Sequence, residues 1–160
     1  MALNICIKIG DIPGESNTTS HEGEIDVLSW KWGLTQSASS HVGTGAGSGT
    51  ADVHDLTFTK YVDKASPALI QQCFQGSDQK EAVLTVIKAS GEKSLEFVKI
   101  TMSGTVFISS VSTGDPLPND MYSETVTLNF AKVKVEYKQQ NSDQSEGPTS
   151  TAEFDISKGS

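Results

Sequence analysis

The chain has 160 residues, enough for one domain over residues 1–160 that buries about 68–70% of the surface its unfolded chain would expose. Twelve basic and twenty acidic residues give a net charge of −8, and every basic residue is a lysine. Without the arginine fork that grips phosphates and guanine edges, an acidic chain is repelled by nucleic-acid backbones and ill suited to phosphoryl transfer, so no nucleic acid is expected as a partner.

The N-terminus lacks a charged segment followed by an apolar stretch, so no signal peptide is expected. Its apolar runs fall far short of the ~20 residues a bilayer requires, so no membrane insertion is expected either. Leu3, Ile5, Ile7 and Ile9 alternate with Asn4, Cys6 and Lys8, which predicts a half-buried strand ended by Gly10-Asp11. Residues 24–36 predict a second strand with Leu28, Trp30 and Trp32 on its core face, and Ile25, Val27, Ser29 and Lys31 on the other. Residues 37–50 are small, uncharged and glycine-rich, and predict an extended loop too long for a plain hairpin connection.

A third strand is predicted over residues 53–61. A single short helix follows, with Ser66 as N-cap, Pro67 in the first turn, an apolar stripe of Leu69, Ile70, Cys73 and Phe74, and a left-handed stop at Gly76. Further strands are predicted over residues 81–89, 94–112, 122–138 and 151–157, and residues 139–149 are expected to form a solvated loop. In the sixth strand the apolar parity shifts from Val126-Leu128-Phe130 to Val133-Val135-Tyr137, which predicts a bulge near Ala131-Lys132. The fifth strand shifts similarly, from Leu95-Phe97 to Ile100-Met102. Two long bent strands favour a small antiparallel β-barrel of two sheets, with one flanking helix and the glycine-rich loop.

Chemistry-bearing motifs are sparse. His21, His41 and His54 belong to no metal pattern, and Cys6 and Cys73 lie far apart outside any CxxC, as two buried free thiols would. Ser109, Ser110 and Ser112 lie on a strand with no histidine near in sequence and are expected to be surface residues. No catalytic residue, metal or cofactor is therefore expected. A ligand- or carbohydrate-binding β-module and a small hydrolase remain as alternatives, although the parity of Trp30 and Trp32 points to core rather than to an exposed sugar platform.

Five blocks in order carry a resemblance: IKIGDIPGES (7–16), HEGEIDVLSWKWG (21–33), DLTFTKYVDKASPALIQQCFQG (55–76), FISSVSTG (107–114) and ETVTLNFAKVKVEY (124–137). Together they resemble the Hcp (haemolysin-coregulated protein) family, whose members form the inner tube of the bacterial type VI secretion system. The resemblance implies a barrel subunit of hexameric rings that stack into a hollow tube, with spike and sheath proteins as partners and effector proteins in the lumen. It implies release from the cell without a signal peptide.

Within that frame, His41, Val42, Gly43, Thr44, Gly45, Ala46, Gly47, Ser48 and Gly49, followed by Asp52, Val53 and His54, are expected to make inter-ring or inter-subunit contacts. A mobile surface loop is the alternative. Ser29 and Lys31 point away from the barrel, into the lumen or towards another subunit, and Asp115 is a candidate for the rim of the ring. The C-terminus departs from the family pattern, with Phe154 and Ile156 expected where a tryptophan-bearing strand would pack.

Overall fold

The computed structural model describes residues 2–40, 50–90, 93–143 and 145–159. The strands are β1 (Ala2–Ile9), β2 (Ile25–Asp26), β3 (Ser29–Lys31), β4 (Leu34–Gln36), β5 (Ala51–Val53), β6 (Leu56–Tyr61), β7 (Asp78–Ser90), β8 (Lys93–Leu117), β9 (Met121–Gln140) and β10 (Glu146–Asp155). One α-helix, α1 (Ser66–Gln75), and a 3-10 turn at Ile156–Lys158 complete the set. An antiparallel sheet runs β2-β1-β7-β8-β9-β6-β3, with β10 also on β9, and β4 and β5 form a separate two-stranded sheet. The expected β-barrel with one helix is the observed architecture.

The predicted second strand is broken in three, and the break closes the curl of the sheet. Val27 donates to the carbonyl of Ile5 on β1 (2.9 Å), while the next residue, Leu28, donates to Thr59 on β6 (2.7 Å). One short segment therefore bonds both edges of the large sheet, and its parity changes as it crosses. Ile25 and Val27 are buried, Leu28 is exposed, and Trp30 and Trp32 are partly buried against the core. The expectation that Leu28 shares the core face with both tryptophans is thus corrected, because a single parity cannot hold across a change of partner strand.

β8 carries the curvature. Its 25 residues would span about 80 Å if straight, against a radius of gyration of about 15 Å for a domain of this length. Extra residues bend it repeatedly: Phe97 against β7, Gly104-Thr105 opposite Ala131, Ser109 against Leu128-Thr127, and Gly114 against Glu124-Ser123. The parity change at Ala131-Lys132 is present, but the inserted residue sits in the partner strand, where Gly104 adopts φ +81°. A Cβ at Gly104 would come within 2.9 Å of the Ala131 Cβ, so both the turn and the close approach require glycine there.

The barrel core is built from Ile7, Ile9, Ile25, Leu56, Phe58, Leu84, Ile100, Met102, Leu128 and Val133. Cys6, on the opposite parity of β1, is also fully buried, with Ser16 of the β1–β2 connection 3.4 Å from its sulfur. At the C-terminus, Phe154 stacks on Trp32 (6.4 Å between centroids), and Ile156 also packs on the core. Residues 146–149 belong to β10 rather than to the expected solvated loop.

The helix differs from expectation at its start. Ala65 is the N-cap and Ser66 the first helical residue; the Asp63 carboxylate accepts from the Ala65 amide (2.9 Å), and the Ser66 hydroxyl turns inward instead. Gly76 provides the left-handed stop at φ 64°. Of the expected stripe, Leu69 is buried and Cys73 partly so, but Ile70 is 43% and Phe74 88% exposed.

Candidate functional site

Strand alternation on β3, β6, β9 and β8 sends apolar residues into the core and leaves hydroxyl groups on the other face. The register aligns Ser29, Thr59, Thr125 and Ser112 in one row across the four strands, and Lys31, Thr57, Thr127 and Ser110 in the next. A third row carries Tyr61, Ser123 and Asp115. Cross-strand hydroxyl contacts join neighbours within a row, with Ser29 Oγ 2.5 Å from Thr59 Oγ1 and Thr57 Oγ1 3.3 Å from Thr127 Oγ1. At one margin the Asp55 carboxylate accepts from Asn129 (2.9 Å) and from Ser109 (3.1 Å), which locks the Ser109 bulge. The result is a continuous uncharged face of hydroxyls, with Lys31 at one side and Asp115 at the other.

Ser29, Lys31 and Asp115 therefore share one face of one sheet. The Ser/Thr periodicity behind that face is in the sequence, but the serines of β8 read there as ordinary strand-surface residues. Only the register shows that they extend the threonines of β6 and β9.

The loop candidates fall into two groups. His41 to Gly49 lie outside the described residues. Asp52 and Val53 are on β5, paired with Thr35 and Leu34, so β4 and β5 form a two-stranded stem that brackets the glycine-rich segment in sequence. Ser37 and Thr50 extend it through the Thr50 amide on Ser37 Oγ (2.9 Å). His54 Nε2 lies 3.7 Å from the Asp52 carboxylate, and the His54 carbonyl accepts from the Trp32 indole (2.8 Å), which anchors the stem to the barrel wall.

Two polar clusters brace the barrel beneath these surfaces. Lys60 and Glu124 are fully buried partners across β6 and β9, 2.6 Å apart. Lys60 Nζ also meets the Asp63 carboxylate (2.8 Å) and the Tyr61 carbonyl (2.8 Å). Ser66 Oγ donates to Glu124 (2.5 Å), fastening the helix start to the same pair. Burial pushes the Glu124 carboxyl up, but hydrogen bonds from Lys60 and Ser66 outweigh it and hold the group below its ordinary value.

His21, nearly buried, places Nδ1 2.8 Å from Glu24 and Nε2 2.6 Å from Glu96 of β8. Burial pulls the ring's pKa down, yet the two carboxylates dominate and raise it, so the imidazolium clasps the β1–β2 connection onto β8. Burial likewise pushes the Cys6 thiol up, which suits a packed rather than a reactive sulfur.

Among the described residues no group of three or more His, Cys, Asp or Glu side chains could hold a metal ion. Nor is any helix among them long and apolar enough to cross a membrane.

Comparison with known proteins places this arrangement. Residues 6–137 match the family model described as type VI secretion system effector, Hcp. The chain is 49% identical over 143 residues to the protein Hcp1 of Pseudomonas aeruginosa, covering 89% of this chain and 88% of that one. Among solved structures, Hcp1 from Salmonella typhimurium superposes with a TM-score of 0.81 at 36% identity, covering 99% of this chain and 98% of that one. A structure described as a type six secretion system protein reaches a TM-score of 0.90 at 26% identity, over 99% of both chains. With sequence and fold in agreement over nearly the whole length, the chain belongs to the Hcp family of type VI secretion proteins.

Proposed function

We propose that this chain is a non-catalytic structural subunit that forms hexameric rings, stacks them into a hollow tube and is exported by the type VI apparatus. Effector proteins would travel in the lumen, and spike and sheath proteins would be the other partners. The observation that carries the reading is the hydroxyl face of β3, β6, β9 and β8 on an Hcp barrel. A wall past which cargo must move needs to be wetted and weakly binding. Serine and threonine hydroxyls exchange hydrogen bonds with water and cargo alike, and offer neither an apolar trap nor a dense fixed charge. In that assembly Ser29 and Lys31 line the lumen, Asp115 lies near its rim, and the β4–β5 stem carries the glycine-rich segment towards the next ring or subunit.

The test is the size and shape of the purified protein. Light scattering should give the mass of six 17.0 kDa chains, and negative-stain images should show rings with an open centre. A strict monomer at high micromolar concentration would sink the proposal.

A further inference from the structure

The most exposed large apolar side chain of the described barrel is Phe74, on α1, one helical turn from the half-exposed Ile70. The helix that carries them, SPALIQQCFQ, contains no charged residue, although one residue in five of the whole chain is charged. Three glutamines supply its polarity. An exposed aromatic among uncharged amides, with charge depleted around it, is the composition of an interface centre rather than of a solvated surface.

A second, separate surface is also nearly free of charge. Over the Val27-Leu28 crossing opens a groove of about 650 Å³, lined by Leu3, Leu28, Tyr61 and Ile87 alongside uncharged polar residues such as Asn4 and Thr18, with Asp26 the one charged residue among the described residues of its walls. Its volume admits an aromatic side chain with its neighbours. The helix end and the groove lie at opposite ends of β7. Gln72 of α1 accepts from Gln79 at the start of that strand (3.1 Å), while Ile87 and Ala89 at its far end line the groove. Ten residues of strand separate them, about 33 Å along the chain.

We propose that Phe74 and Ile70 of one copy seat in the Leu3–Leu28–Tyr61 groove of the next, as the contact that joins subunits within a ring. Charge selects the occupant. Two copies at −8 repel, and the faces that meet must be those with least charge to bury, whereas a basic partner would be recruited by an acidic face. Because knob and groove are different surfaces of the subunit, the contact is heterologous and propagates until it closes. This rests on the ring reading above.

Phe74→Lys should move the protein from six-chain to one-chain mass at concentrations where the wild type is fully assembled, with its β-sheet circular dichroism unchanged. Leu28→Lys, on the other surface, should do the same. In a Cys73→Ser background, Phe74→Cys with Leu28→Cys should yield on oxidation a covalent ladder extending beyond the dimer, and either single cysteine should not. Intact rings in Phe74→Lys overturn the contact while leaving the ring reading standing, including the case in which those rings only fail to bind another protein of the apparatus. A ladder that stops at the dimer, or no cross-link in assembled rings, overturns it equally. A wild type without rings overturns both.

Discussion

A lysine and a glutamate with no solvent contact are held in this barrel by each other, and the same pair holds the helix. Removing one partner strands the other charge, so Lys60→Met is expected to cost about 3–5 kcal/mol, while the paired change Lys60→Met with Glu124→Leu recovers most of that loss. Urea midpoints of the two variants check this, and a double variant as weak as the single would contradict it. The placement was legible in part, since Lys60 shares parity with Leu56 and Phe58, and Glu124 with Val126 and Leu128. What alternation could not supply was the register that sets them opposite each other.

Titration should act on these groups in opposite directions. Glu124 is depressed from 4.5, so its contribution is present above that value and is lost as pH falls through the lower folded value. His21 is raised from 6.5, so its clasp contributes fully below 6.5 and is lost as pH rises through the higher folded value. His21→Gln is therefore expected to flatten the alkaline fall in urea midpoint and leave the acid limb in place. An alkaline limb unchanged in that variant would remove His21 as its cause.

At the scale of elements, β8 shows how far pattern reading reaches. Alternation located the long strands and the two parity changes, but not which strand carries the extra residue, because at Gly104 the parity change shows in β9 while β8 keeps Ile100, Met102, Val106 and Ile108 on one face. Gly104 is the deciding residue. Gly104→Ala forces a side chain into left-handed backbone and against Ala131, and is expected to cost about 1–3 kcal/mol. Adding Ala131→Gly should relieve the contact yet leave the backbone strain, so thermal melts of the double variant should recover only part of the loss. The helix was legible from Pro67 and Gly76, but its cap was not: Ser66 has the right chemistry for capping, and its hydroxyl is drawn instead to a buried carboxylate that only the folded barrel brings near.

For the whole molecule, the net charge sets the condition for assembly. In the proposed hexamer, six copies at −8 would repel one another strongly, and neutral surfaces are where such rings would meet. Raising salt screens that repulsion, so longer tubes are expected with increasing ionic strength in sedimentation or electron micrographs. Tubes that dissolve as salt rises would show that ion pairs hold the rings together. The hydroxyl face proposed to line the lumen was not legible from composition, since hydroxyls on four strands separated by up to about ninety residues become one surface only through pairing.

The crossing at Val27-Leu28 makes the curl of the sheet observable in solution. Its two consecutive amides are bonded to different edges, β1 and β6, so neither can be released in full register without parting the segment from the wall it joins. Their protons should exchange with deuterium only through the same opening, at matching rates, and much more slowly than those of the short β4–β5 stem. Neighbouring amides that exchange at unrelated rates would mean that the two edges breathe independently, and that the barrel is a sheet with a flap rather than a closed wall.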